Sequence, residues 1–140
     1  MSDNSERTFD VVACRAHLRA RQERQYLAGE QRRQAAIKAL RSAVRSVLPR
    51  FPGVWRAYLF GSVLRPGAWR STSDIDLAVE GRLSAEKYFA LWRELERAAG
   101  DWPIDLVELD RDLRFAARVR ERGELIYGHP DSDAESRHYG

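Results

Sequence analysis

Sulfur is nearly absent from this chain. Its 140 residues include one cysteine, Cys14, and one methionine, the first residue. A single cysteine excludes an intrachain disulfide and any zinc site built from several thiolates. Cys14 follows Val11, Val12 and Ala13, and in such apolar company it reads as a small core or interface residue rather than a reactive thiol. Proline is missing before Pro49, so nothing of that kind interrupts a helix over the first third of the chain. No apolar run approaches the roughly 20 residues that cross a bilayer. The opening MSDNSERTFD also lacks the apolar centre of a signal peptide. No membrane association is expected, and a cytoplasmic location follows by elimination. The three histidines, His17, His129 and His138, stand at no spacing from a nucleophile that suggests a catalytic pair.

What is present fits one globular domain: 44% of residues are hydrophobic, enough for a core, and 32% are charged, enough for a soluble surface. The charge is uneven. Residues 1–50 carry 11 Lys and Arg against 5 Asp and Glu, and the remainder carries 13 against 16. A basic leading segment suits an acidic partner or nucleic acid. No aromatic residues interleave with its arginines as base-stacking platforms. A solvated arginine-rich helix is therefore the preferred reading, and direct nucleic-acid binding is not expected.

Helix formers dominate from Asp10 to Leu48, and Ile37, Leu40, Val44 and Val47 recur at helical spacing. Residues 1–9 and the polar tail 129–140 are expected to be loose. Gly29 either separates two helices or is tolerated within one. The weaker stripe of Val11, Cys14 and Leu18 makes residues 1–34 an extension, open to a homodimer or a partner contact. After Pro52-Gly53, residues Val54 to Phe60 read as a strand, and Asp74 to Glu80 as a second. Ser84 is a plausible N-cap for a helix over Ala85 to Ala99, with Tyr88, Leu91, Trp92 and Leu95 inward. A third strand over Trp102 to Leu109 follows. A helix capped by Asp110 or Asp112 then ends near Arg122, and Leu125 to Tyr127 closes the chain. The fold class is α+β: a small mixed sheet flanked by helices, with a long N-terminal helical extension. The four tryptophans read as core, with Trp69 also placed where it could stack on a base.

The chemistry concentrates between Gly61 and Asp105. Gly61-Ser62 ends an apolar run, and Asp74-Ile75-Asp76 opens the next. In an extended strand Asp74 and Asp76 share a face, and two carboxylates together are hard ligands for Mg²⁺. A glycine-serine turn presents N–H groups and a hydroxyl to phosphate oxygens. Taken singly, each element also reads as an ordinary turn or a wet-face acid. Asp105, an acid between Ile104 and Leu106 in a third apolar run, strengthens the combination, because a carboxylate in a buried strand is costly unless paired or bound to a cation.

This arrangement resembles the minimal nucleotidyltransferases of the DNA polymerase beta superfamily. Gly61-Ser62 matches the family's turn, Ser73-Asp74-Ile75-Asp76-Leu77 its paired acids, and Asp105 its third acid, over residues 35–128. One departure is an extra residue before Gly67, with Pro66 as the insertion. The resemblance implies Asp74, Asp76 and Asp105 as catalytic and metal-binding groups for Mg²⁺. It also implies Gly61, Ser62, Arg65 and Ser73 as groups that hold a nucleoside triphosphate, with Arg70 a further candidate. It further implies transfer of AMP from ATP to a hydroxyl of a HEPN ribonuclease toxin by an antitoxin of this family, in a homodimer or hetero-oligomer. The alternatives are transfer to a small molecule such as an aminoglycoside, or a catalytically weak antitoxin acting by contact.

Overall fold

The computed structural model describes residues 3–70, 72–100 and 102–128. Helix α1 runs without a break over Asp3–Val47. It therefore starts before the expected Asp10, because the residues ahead of it are polar but free of proline and of any stop signal. The tail 129–140, expected to be loose, lies outside the described residues. Gly29 is tolerated inside α1, with open space where a Cβ would stand. Beyond Ala36 the helix is a core element, and Leu40, Val44 and Val47 are buried. From Asp10 to Ala28 it is mostly bare: Val12 is 61% and Leu27 60% exposed. Cys14 is exposed on this arm, so the arm, not the core, holds it.

A short 3-10 turn at Leu48–Arg50 ends α1. Strand β1 is Val54–Phe60, β2 is Ile75–Gly81, β3 is Ile104–Glu108 and β4 is Glu124–Tyr127. Helix α2 is Ala85–Ala99 and α3 is Leu113–Arg122. Both helix starts use the caps legible in the chain. Ser84 Oγ accepts from Lys87 N at 3.2 Å. Asp112 Oδ1 accepts from Arg114 N at 2.9 Å, so Asp112 rather than Asp110 is the cap.

The sheet order is β3-β2-β1-β4. β1 is antiparallel to β2 and to β4, and β2 is parallel to β3. Parallel neighbours need a crossover, and α2 supplies it. One face carries Ala57, Leu59, Leu77, Val79 and Leu106 against the inner stripes of α1 and α2. The other carries Tyr58 and Ala78 against Ala116 and Val119 of α3. β2 is thus covered on both faces, and its burial runs almost unbroken. Such a strand reads as apolar throughout, which makes its two acids, Asp76 and Glu80, costly positions.

Glu80 is neutralised within the sheet. Arg56 stands opposite it on β1, donates from Nε to Oε2 at 3.0 Å, and closes a second bond from Nη2 to Oε1. Arg120 of α3 reaches the same Glu80 Oε1 at 3.2 Å. Removing one member of a buried pair strands the other charge. Arg56→Met is expected to cost about 3 kcal/mol in chemical denaturation, and Arg56→Met with Glu80→Leu less than that single change.

Candidate active site

The site lies at the upper end of the face that α3 partly covers. Register places Phe60 opposite Asp76, and Asp76 opposite Asp105 on β3. Asp76 and Asp105 are half-buried, whereas Asp74 is exposed, one residue before β2 begins. Asp74 is therefore a loop residue and not the strand residue expected, because the chain turns at Ser73, whose N–H donates to Arg70 O at 2.9 Å. Ile75 N then donates to Pro103 O at 2.9 Å and fastens the start of β2 to the approach of β3.

Burial, then the negative charges of Asp105 and Asp74, lift the Asp76 carboxyl above its ordinary value. Asp76 thus meets the repulsion of two neighbouring carboxylates with no arginine among the groups acting on it. Two hydrogen bonds from α2 hold the Asp105 segment in place. Trp92 Nε1 donates to Ile104 O at 2.8 Å, and the Tyr88 hydroxyl donates to Leu106 O. The carbonyls on either side of Asp105 are both taken.

Gly61 closes the other side. β1 ends extended at Phe60, and Gly61 turns with φ +80° into a 3-10 turn over Gly61–Leu64. A Cβ at Gly61 would stand 2.3 Å from Asp76 Oδ2. The position thus combines a left-handed backbone with a carboxylate in the space of the missing side chain, and only glycine satisfies both. Ser62 follows, half-buried, within the turn. Arg65 N donates to Ser62 O at 3.0 Å, and Ala68 N to Arg65 O at 3.1 Å. The second of these bonds encloses Pro66-Gly67, with Gly67 at φ +80°, the pattern of a type II turn. The inserted Pro66 lies in that turn, beyond the Gly61–Leu64 segment.

Sequence reasoning did not find Arg33. It is buried on α1, and its Nη1 donates to Val63 O at 2.7 Å. Glu30 grips it through Nε at 3.0 Å and through Nη2, and those bonds hold the Glu30 carboxyl below its ordinary value. α1 therefore pins the turn that carries Ser62. The signal was available, since Arg33 occupies the stripe of Ile37, Leu40 and Val44. Also missed was a pocket of about 390 Å³ between this turn and α3, floored by Phe60, Leu64, Phe115 and Val119 and bordered by Arg65, Arg118 and Arg122. Trp69 is not a base-stacking platform: it is buried and packs on Trp102 with ring centres 5.7 Å apart. Arg70 is exposed.

The donor set suits a hard divalent cation, since carboxylate oxygens that repel one another gain from a positive ion. Among the described residues no group of three or more His, Cys, Asp or Glu is placed to hold a metal ion by itself. Mg²⁺ does not require one, because it commonly takes one or two carboxylates with waters and substrate phosphates.

The family model for Polymerase beta, Nucleotidyltransferase matches residues 43–132. The chain belongs to this family. It is a minimal nucleotidyltransferase domain, with the mixed sheet and flanking helices of that fold. No curated protein matches it significantly. Among solved structures, it is similar to a chain of the toxin–antitoxin MntA-HepT, at 25% identity over 69% of this chain and 77% of that one, TM-score 0.51. It is similar to a chain of a toxin–antitoxin structure with AMP-PNP, at 28% identity over 67% and 77%, TM-score 0.55. A structure of tri-AMPylated Shewanella oneidensis HEPN toxin in complex with MNT antitoxin matches at 24% identity over 71% and 77%, TM-score 0.50, which shows the fold alone.

Two outcomes test this minimal nucleotidyltransferase site. Gly61→Ala should keep its far-ultraviolet circular dichroism, lose about 1–2 kcal/mol of stability to the left-handed backbone, and lose divalent-cation binding by calorimetry because its methyl displaces the Asp76 carboxylate. The raised Asp76 carboxyl has the opposite sign to a stabilising acid. Its ionised form costs folding free energy, so stability falls as pH rises from the ordinary carboxylate range through the raised value. Asp76→Asn should therefore raise the melting temperature at pH 7 in metal-free buffer, with the gain shrinking as pH drops below the carboxylate range.

Proposed function

We propose that this chain transfers AMP from ATP to a hydroxyl of a partner protein, a HEPN ribonuclease toxin, and neutralises it as an antitoxin. The observation that carries the reading is the row Gly61, Asp76, Asp105: a bare backbone position, a carboxylate lying against it, and a second carboxylate in register on the next strand. The AMP-PNP in a similar complex supports an adenine nucleotide as donor, and the AMPylated toxin bound to an MNT antitoxin is the precedent for a protein acceptor. We assign the chemistry to residues 35–128 and partner contact to the extension 1–34, whose exposed Val12, Leu18, Tyr26 and Leu27 offer apolar area.

In this reaction an acceptor oxygen forms a bond to the α-phosphorus. The bond to the α–β bridging oxygen breaks, and pyrophosphate leaves with the electron pair. Asp74, Asp76 and Asp105 would hold Mg²⁺, which when bound neutralises charge building on the phosphoryl oxygens. Asp105, on the flank away from Gly61, receives the acceptor proton. Gly61 lets the triphosphate approach the backbone closely, and the Ser62 N–H and hydroxyl bind its oxygens. Ser73 orients the loop that carries Asp74. The contact-only alternative rests on Pro66, which sits in the turn at Arg65–Ala68, outside Gly61–Leu64. ATP supply places the reaction in the cytoplasm.

With α-labelled ATP, Mg²⁺ and a cognate HEPN protein, label should move to the partner. It should fall about a thousandfold with Asp76→Ala and disappear with chelator. An unlabelled partner in a pair verified to associate would overturn the reading.

A further inference from the structure

We propose that Arg33 is a positioning residue for nucleotide binding: from α1 it holds the Gly61–Leu64 turn by the Val63 carbonyl and so fixes how that turn offers Ser62 to the triphosphate. The inference rests on the nucleotidyl-transfer reading. It carries the nucleotide site beyond residues 35–128, into the end of the extension.

Its first support is the aim of the guanidinium. Glu30, one turn earlier on α1, accepts from Nε at 3.0 Å and from Nη2. Those bonds take one edge of a planar group and leave Nη1 directed at Val63 O, 2.7 Å away. Val63 is 1% exposed, and a buried acceptor without a donor is costly. Within the turn, Ser62 O is met by the local Arg65 N at 3.0 Å. Val63 O is met from 30 residues away. The orientation of the peptide that follows Val63 is therefore decided by α1.

The second support is the place Arg33 occupies. It is 6% exposed and stands in the stripe of Ile37, Leu40 and Val44. Buried ion pairs are commonly replaced by apolar side chains with no loss of stability, so packing alone does not call for a charge here. What the arginine adds is an aimed donor. The helix that carries it is itself braced on the loops beside the site. Arg32 lies over the Trp102 ring at 5.4 Å, just ahead of β3 and Asp105. A Cβ at Gly67 would stand 3.5 Å from Tyr26 Cε2. Two turns of α1 thus touch the turn after β1, the turn at Arg65–Ala68 and the approach to β3 together.

The test is calorimetry on the full chain with Mg-ATP, read beside the melting temperature. Glu30→Gln with Arg33→Met removes the donor and its partner together, so no charge is stranded in the core. It should keep the wild-type melting temperature and weaken Mg-ATP about tenfold, the worth of one hydrogen bond from a charged donor. In transfer to a partner held at saturation, the KM for ATP should rise by the same factor, with kcat within about twofold of wild type. Arg33→Lys keeps a cationic donor and should recover most of the affinity. Arg41→Met with Glu124→Gln removes an exposed ion pair of the same helix and should leave both readings alone; equal loss there would overturn the role of Arg33. A folded Glu30→Gln, Arg33→Met chain that binds Mg-ATP as the wild type does would overturn that role and leave the transfer reading standing. Affinity and melting temperature that fall together, with no recovery in Arg33→Lys, would reduce Arg33 to a structural contact and overturn it as well. Wild-type chain that binds no Mg-ATP would overturn both the role and the transfer reading.

Discussion

The contact between Gly61 and the Asp76 carboxylate is the constraint on which the rest of the site depends. A strand ends, the backbone turns left-handed, and the space where a side chain would stand holds an oxygen of the neighbouring strand's acid. That one approach brings the turn after β1 and the Asp76 carboxylate of β2 side by side. Pieces on either side serve to keep it. Arg33 of α1 ties Val63, one residue past Ser62, and two donors of α2 tie the carbonyls around Asp105. The two helices that bury the sheet's inner face therefore also fix the two ends of this row.

The α3 face of the sheet carries two acids on β2, and they are treated differently. Glu80 is met by Arg56 and Arg120, and its charge is spent inside the fold. Asp76, four residues earlier, has no such partner among the groups acting on it, and burial first, then the charges of Asp105 and Asp74, raise its carboxyl. A protein can keep such a position only where folding is secured elsewhere, here by the core built from α1, α2 and the inner sheet face. A cation bound beside Asp76 would relieve that electrostatic cost.

Much of this was legible in the chain. Ser84 and Asp112 announced their helices because a cap is a local hydrogen bond two or three residues long. The Gly61-Ser62 turn and the acids were legible because glycine and a carboxylate in an apolar run are both unusual in a strand context. Asp74 was misplaced onto β2 because strand ends are set by a turn bond at Ser73 that alternation does not reveal. The early start of α1 was missed for the opposite reason: polar residues looked loose, yet nothing in them stops a helix. Trp69 looked available in a loop, and Trp102 thirty-three positions on takes its ring.

By itself the sequence determined which segments are helix or strand, which way their apolar sides turn, and which residues carry charge or flexibility. Those properties follow from steric and hydrogen-bonding rules that act over a few residues. Only the tertiary structure decided which charge meets which. Arg33 reaching Val63, Arg56 reaching Glu80, Asp76 abutting Gly61, and three arginines converging on one pocket join residues far apart in the chain. Such pairings depend on strand register and on how helices seat against the sheet, and a shift of one residue in either would exchange every partner.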